Sequence, residues 1–532
     1  MVVLRSLRFA FSLLLIEAPT VHAATADCNC DHIVEPGAVT ADGEELGILP
    51  GDRVCVLAGD YEFIRFSGIQ GTTEEPVVIV NCGGLVRIHN DERAYALVME
   101  GDSRHFHITG TGDPSHEYGF DISVPAEDPW PGVGLSLVGR STDYEVDHLE
   151  IHDTGFAGVS AKTDPLCDGS ADQDVFVQRN TELHHLYIHD TGGEGFYVGS
   201  TQSDGQTISC DGVDEIHQPH FLEGVSLHHN LVENTGWDGM QVGMAHSDCA
   251  VYANTIRHVG LEGVEYQQQG LQIGTYSSCE VYNNVLLDGP VMGIIVLGAG
   301  PSRFYNNLIV DFGEDGIYAH HREVVAGAGY DFIYNTVVGY GRNGIRAHGA
   351  ELGPSQAINN LVVGSDGHLA PGSEIPSWTE SSNLTFATES EAGFVGPGDY
   401  HLRDDSPARA AGAAFDEIDF DLDGRQRADP PSVGAYEHAE DSPGTVGGAG
   451  PTPMGPPDSG DTTGGRTPPG SEPEDDTSGS SCACRSAAGG AHGYGTAAFL
   501  LVAGCGAWRR RRRGGVSHPS GTRPGVPPVQ RR

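Results

Sequence analysis

Lysine occurs once in this 532-residue chain, as Lys162, and arginine supplies the other fixed side-chain cations. An ε-ammonium, unlike a guanidinium, releases its proton at moderate pH when its surroundings depress its pKa, so a solitary lysine is a candidate general base. The proton it would take is an activated one, such as a C–H next to a carboxylate. Four carboxylates, Glu194, Asp238, Glu262 and Asp315, each stand directly before a glycine. Glu194 and Asp238, joined by Asp164 two residues after the lysine, offer the several oxygen ligands that Ca2+ takes. A second cluster, His320, His321, Arg322, Arg342, Arg346 and His348, is a patch of positive charge able to pair with a carboxylate or sulfate.

Internal repeats define the elements that must position these residues. Residues 149–158 (LEIHDTGFAG) match 187–195 (YIHDTGGEG), and 230–239 (NLVENTGWDG) match 254–263 (NTIRHVGLEG); the pattern returns at 284–293, 307–316 and 335–344. Each unit has short alternating runs separated by Gly and Asn and no helical periodicity. One run cannot bury its apolar side alone, but stacking it on its equivalent in the next unit builds parallel sheets around a continuous core. Asn230, Asn254, Asn284, Asn307, Asn335 and Asn360 recur at one position and predict an internal amide ladder, with Asn also suited to a left-handed turn there. Alternation points Ser160, Lys162, Tyr197, Gln241, Gln272, Tyr318, His320, Arg346 and His348 outward, beside one apolar unit carrying Ile295 and Leu297. Cys249 and Cys279 precede the same motif in successive units (CAVY and CEVY), within disulfide reach for strands about 4.8 Å apart. Cys55–Cys82 and Cys167–Cys210 are the further pairings expected.

With these repeats the sequence resembles the right-handed parallel β-helix proteins of the pectate-lyase-like superfamily. The opening PGDRVCVLAGDY (residues 50–61) is similar to their N-terminal coils, and residues 423–425 (DGR) with 433–437 (VGAYE) to the last coil of many bacterial members. The resemblance spans about residues 27–438 and implies an all-β solenoid with its substrate groove on the sheet that carries the outward stripe. It implies a polysaccharide as partner, with Tyr197, Gln241, Gln272, Tyr318, His320 and His348 contacting sugar hydroxyls. It also implies β-elimination on a uronate polymer, with Lys162 as base and Arg346 and Arg322 as rival bases. Ca2+ would be held by Glu194, Asp238 and Asp164. The fold also hosts hydrolases and non-catalytic proteins, so a glycoside hydrolase using, for example, Asp238 and Asp315, and a surface glycan binder or adhesin, stand beside the lyase.

The ends place the protein outside the cell. Arg5 and Arg8, the apolar stretch from Phe9 to Ile16, and small residues around Ala23 read as a signal peptide over 1–23. Eight cysteines in the following body then read as disulfides rather than metal ligands. Residues 24–145 are expected to form the N-terminal cap and first coils, 146–365 the central repeats, and 366–438 the last coils and cap. Residues 439–481, rich in Pro, Gly, Ser and Thr, predict a disordered stalk. Residues 482–513 combine Cys482, Cys484, an apolar segment forming a short anchor helix, and Arg509 to Arg513. That order of parts resembles the MYXO-CTERM sorting tail of myxobacterial surface proteins and implies retention at the outer membrane, with 514–532 a disordered tail. A net charge of −45 excludes nucleic acid as a partner of the body and leaves membrane contact to the tail alone. The solenoid is read as a monomer. Asp419-x-Asp421-x-Asp423-Gly424 imitates the start of an EF-hand loop, but Pro430 stands where its bidentate Glu belongs.

Overall fold

The computed structural model describes residues 28–444 except 127–130, 299, 321–327, 350–351, 366–367, 372–374 and 376. Arg322, His321, the signal peptide, the anchor segment and most of the stalk lie outside the described residues. Among the described residues no helix is long and apolar enough to cross a membrane.

The chain folds as a right-handed parallel β-helix, with one sheet of 12 strands and a second of 23 strands among the described residues. Each coil of the central repeats gives one strand to the former and two to the latter, which meet at a corner. Strand Val159–Ala161 pairs in register with Phe196–Val198, and the register continues through Met240–Val242, Leu271–Ile273, Ile294–Leu297, Asp315–His320 and Asn343–His348. Val159, Phe196, Met240, Leu271, Ile294, Ile317 and Ile345 thereby form one buried file of the core. The glycine before each of them is required by close packing. A Cβ on Gly239 would lie 2.4 Å from the Ile256 side chain, and one on Gly316 would lie 2.3 Å from Val337.

The asparagine ladder is present at the corner of the larger sheet. Asn254 Nδ2 donates to Asn284 Oδ1 at 3.0 Å and to Leu227 O at 2.9 Å, and the pattern repeats from Asn230 through Asn360 to a further rung, Asn383. The left-handed turn falls one residue earlier than expected. His229, Ala253, Asn283, Asn306, Tyr334 and Asn359 have φ between 53° and 57°, so the ladder residue only follows the turn. Its amide points inward and satisfies the buried backbone that the turn leaves unpaired.

Cys249–Cys279 and Cys167–Cys210 are bonded. Cys55 and Cys82 are not bonded to each other; the bridges are Cys28–Cys82 and Cys30–Cys55. The reason is register: Cys55 lies opposite Val80 and Cys82 opposite Leu57, whereas Cys28 and Cys30, two residues apart, share one side of the N-terminal segment. The C-terminal part also departs from a simple continuation of coils. After strand Leu384–Phe386, residues 389–437 run back over the larger sheet, burying Leu402, Ala408, Leu422, Val433 and Ala435 against Leu308, Val338 and Leu361. Arg427 anchors this return, donating to Asn306 Oδ1 at 2.7 Å with its guanidinium 3.6 Å from the Tyr334 ring centre.

Candidate functional site

The 12-stranded sheet carries the outward stripe in the predicted register. Ser160, Tyr197, Gln241, Gln272, Ile295, Tyr318 and Arg346 stack coil on coil. One position beyond each strand's last inward residue stand Lys162, Gly199, Gly243, Gly274, Leu297, His320 and His348. Two residues before each inward hydrophobe stand Glu194, Asp238, Gln269, Met292, Asp315 and Asn343. Glu262 is therefore misplaced in the sequence reading: it lies exposed in an inserted loop, and Gln269 takes the position beside Asp238. The loop contains its own acid directly before a glycine, Glu262 before Gly263, which imitates the repeat.

These files form two polar clusters, separated by Met292, Ile295 and Leu297. In the first, Lys162 Nζ donates to Asp164 Oδ1, and the ammonium lies 5.0 Å from the centre of the Tyr197 ring. Burial pushes the lysine pKa down, but the negative charge of Asp164, supported by Glu194, outweighs it and leaves the ammonium above its usual value. Lys162 is thus proton-loaded, contrary to the depressed pKa that a resting lysine base requires. Glu194 is 2 % exposed with Oε2 unpartnered, and burial pushes its carboxyl up to about 7 against the opposing pull of Lys162. Asp238, 0 % exposed on the next coil, accepts from Gln269 N at 2.7 Å and leaves Oδ2 unpartnered; burial and the neighbouring Glu194 raise it well above the carboxylate range.

The expected calcium triad does not assemble. Among the described residues, the sets of three or more ligand atoms within 4.8 Å of one another do not include Asp164, Glu194 and Asp238 together. Asp164 is engaged by Lys162 instead, so the three carboxylates do not converge as ligands of one calcium ion.

Three neighbours of the first cluster were not foreseen. His220, whose Nε2 accepts from Thr163 N at 3.1 Å and whose Nδ1 donates to Phe221 O, is held neutral by burial, which lowers its pKa to about 4. Phe156 packs edge-on against both Tyr197 and the half-buried Trp237, with ring centres 6.3 and 5.4 Å apart. Asp164 and His220 belong to two long insertions tied by Cys167–Cys210, one of which forms the hairpin Gln206–Cys210 with Val213–His217. An aromatic residue within a turn motif was a readable signal; insertions that fold beside a distant strand end were not.

In the second cluster the positive charge is already compensated. Arg342 grips Asp315 through Nε and Nη2 at 3.0 and 2.5 Å, Asn343 Nδ2 donates to it at 2.6 Å, and Arg346 Nη1 approaches at 3.5 Å. Arg346 also lies 4.5 Å from the Tyr318 ring centre, and His320 stacks on His348 at 5.4 Å. Within the predicted patch Arg342 and Arg346 hold a buried aspartate, while His321 and Arg322 lie outside the described residues. Asp238 and Asp315 are three coils apart, roughly 14 Å at about 4.8 Å per coil, beyond the ~5–9.5 Å that paired glycosidase carboxylates span.

No protein-family model matches the sequence and no curated protein matches it. Among solved structures the chain is similar to pectate lyase Pel9A at 10% identity and TM-score 0.42, covering 78% of this chain and 99% of that one. It is similar to an alginate lyase from Paenibacillus sp. str. FPU-7 at 17% identity and TM-score 0.35, covering 66% and 99%. It is also similar to the GH136 lacto-N-biosidase from Eubacterium ramulus at 12% identity and TM-score 0.44, covering 67% and 68%. At these identities none of them assigns an activity to this chain.

Proposed function

We propose that the protein is an extracellular carbohydrate-active β-helix that cleaves a uronate-containing polysaccharide by β-elimination at Lys162 and Asp164. The observation that carries this reading is the direct Lys162–Asp164 hydrogen bond on the outward face, beside the Tyr197 ring and in front of the buried Glu194. The two side chains are 15 % and 30 % exposed, so a sugar can touch both, while Glu194 is buried out of its reach. Asp164 takes the proton from the carbon next to the uronate carboxylate. The electrons of that bond form the C4–C5 double bond, the C4–O bond breaks, and the departing oxygen takes a proton from the Lys162 ammonium. The ammonium also faces the negative charge that develops on the carboxylate. Asp164 then returns its proton to Lys162 across their hydrogen bond, which restores the pair. No step is routed through calcium.

The test is a screen of the purified protein on pectate, alginate and glycosaminoglycans, with calcium and with chelator, following the ultraviolet absorbance of unsaturated chain ends. A rise on one polymer that persists in chelator and falls at least a hundredfold in Lys162→Ala and Asp164→Asn is expected. Glycan binding without turnover, unchanged in Lys162→Ala, would instead identify a surface binding module. The pairing of Arg342 with Glu314 and Asp315, and of Arg346 with Asp315, suits that second reading.

A further inference from the structure

The corner of the larger sheet, away from the 12-stranded sheet, carries paired histidines on successive coils. His184 pairs in register with His228, one residue after each comes His185 or His229, and the rings stack coil on coil at 4.7 and 5.1 Å. Within each coil the two rings face one another through the same nitrogen: His184 Nδ1 is 2.7 Å from His185 Nδ1, and His228 Nδ1 is 2.8 Å from His229 Nδ1. The opposite nitrogens of His184 and His228 donate to Glu145 at 3.1 Å and Glu182 at 3.2 Å. Each coil thus repeats one unit: a carboxylate that fixes a ring's tautomer, and two Nδ1 atoms aimed at one point.

The fold does not require histidine here. On the following coils the first position becomes Tyr252, Tyr282 and Tyr305, and the second becomes Ala253, Asn283 and Asn306, with the same turn. We propose that His184, His185, His228 and His229 form a binding site for one divalent transition-metal ion of the zinc type. One ring nitrogen from each of His184, His185 and His228 already lies within 4.8 Å of the others. Half the pair separation and half the ring stacking put an ion between the coils roughly 2.8 Å from each Nδ1, so modest ring tilts reach the ~2.1 Å of a Zn–N bond. Each facing pair of Nδ1 atoms shares one proton in a hydrogen bond, and metal binding would displace that proton. The carboxylates on the outer nitrogens are the orienting partners that metal-bound histidines have.

The test is titration of the chelator-stripped protein with Zn2+ by calorimetry and with Co2+ by visible absorption, at a salt concentration that suppresses loose binding to surface carboxylates. One saturable ion per chain and a Co2+ spectrum of nitrogen-rich coordination are expected, with affinity at least tenfold weaker in His185→Asn and in His229→Asn. Asparagine already occupies the equivalent turn on later coils, so both variants keep the backbone, as circular dichroism will confirm. His401→Asn, far along the chain, serves as the control and leaves binding unchanged. No saturable ion in the native protein, or equal uptake by the His185→Asn/His229→Asn double variant, overturns the proposal. Neither outcome bears on Lys162, so this site and the polysaccharide reading stand or fall separately.

Discussion

Glu194 is a carboxyl that burial holds near neutrality, with a cationic lysine close enough to lower it only in part. Its folded pKa, about 7, lies above its unfolded value of 4.5, so the folded state binds the proton more tightly. The stabilisation is complete below about 4.5 and is lost as pH rises through about 7, with a slope of at most about 1.4 kcal/mol per pH unit between. Glu194→Gln should flatten that part of the urea-derived stability profile, and an unchanged slope would show that Glu194 is already ionised. Asp238 adds the same sign. Asp147 has the opposite one: its hydrogen bonds to His107, His148 and Thr109 overcome its burial and lower its pKa, so its contribution disappears only on acidification below the window. The sequence showed Lys162 and the carboxylates as outward or turn residues. It did not show the sign of the lysine shift, because that depends on Asp164 swinging back onto the ammonium from a following loop.

The asparagine ladder is the element on which coil stacking depends. Asn284 donates to Asn307 Oδ1 and Val251 O, and its Oδ1 accepts from the backbone and side-chain nitrogens of Asn254. Asn284→Ala removes these bonds and strands a buried N–H and a buried carbonyl, a loss of about 2–4 kcal/mol that denaturant unfolding will measure. A loss within about 0.5 kcal/mol would mean that water replaces the amide. The ladder was legible because one residue type recurs at one repeat position. The turn before it was not, because Ala253 and Tyr334 adopt the left-handed conformation without being residues that favour it. The cysteine pairing at the N-terminus was hidden for a related reason: which strands are neighbours can be read from repeats, but a two-residue offset between them cannot.

The whole chain carries −45, so the folded state forms against considerable self-repulsion. Raising NaCl from about 10 to about 150 mM shortens the screening length from about 30 to about 8 Å. The thermal midpoint of the protein should therefore rise with salt; a fall would mean that ion pairs such as Arg342–Asp315 and Arg409–Asp441 outweigh the repulsion. By itself the sequence determined the solenoid, its inward and outward files, the ladder and two of the four disulfides among the described residues. All of these follow from local periodicity and from equivalent residues stacking on equivalent neighbours. Only the tertiary structure decided the protonation of Lys162, the burial of Glu194 and Asp238, the neutralisation of the arginine cluster, and the return of residues 389–437 over the larger sheet. These depend on insertions and side chains from different coils meeting at distances that no repeat encodes, where desolvation and neighbouring charge set the chemistry.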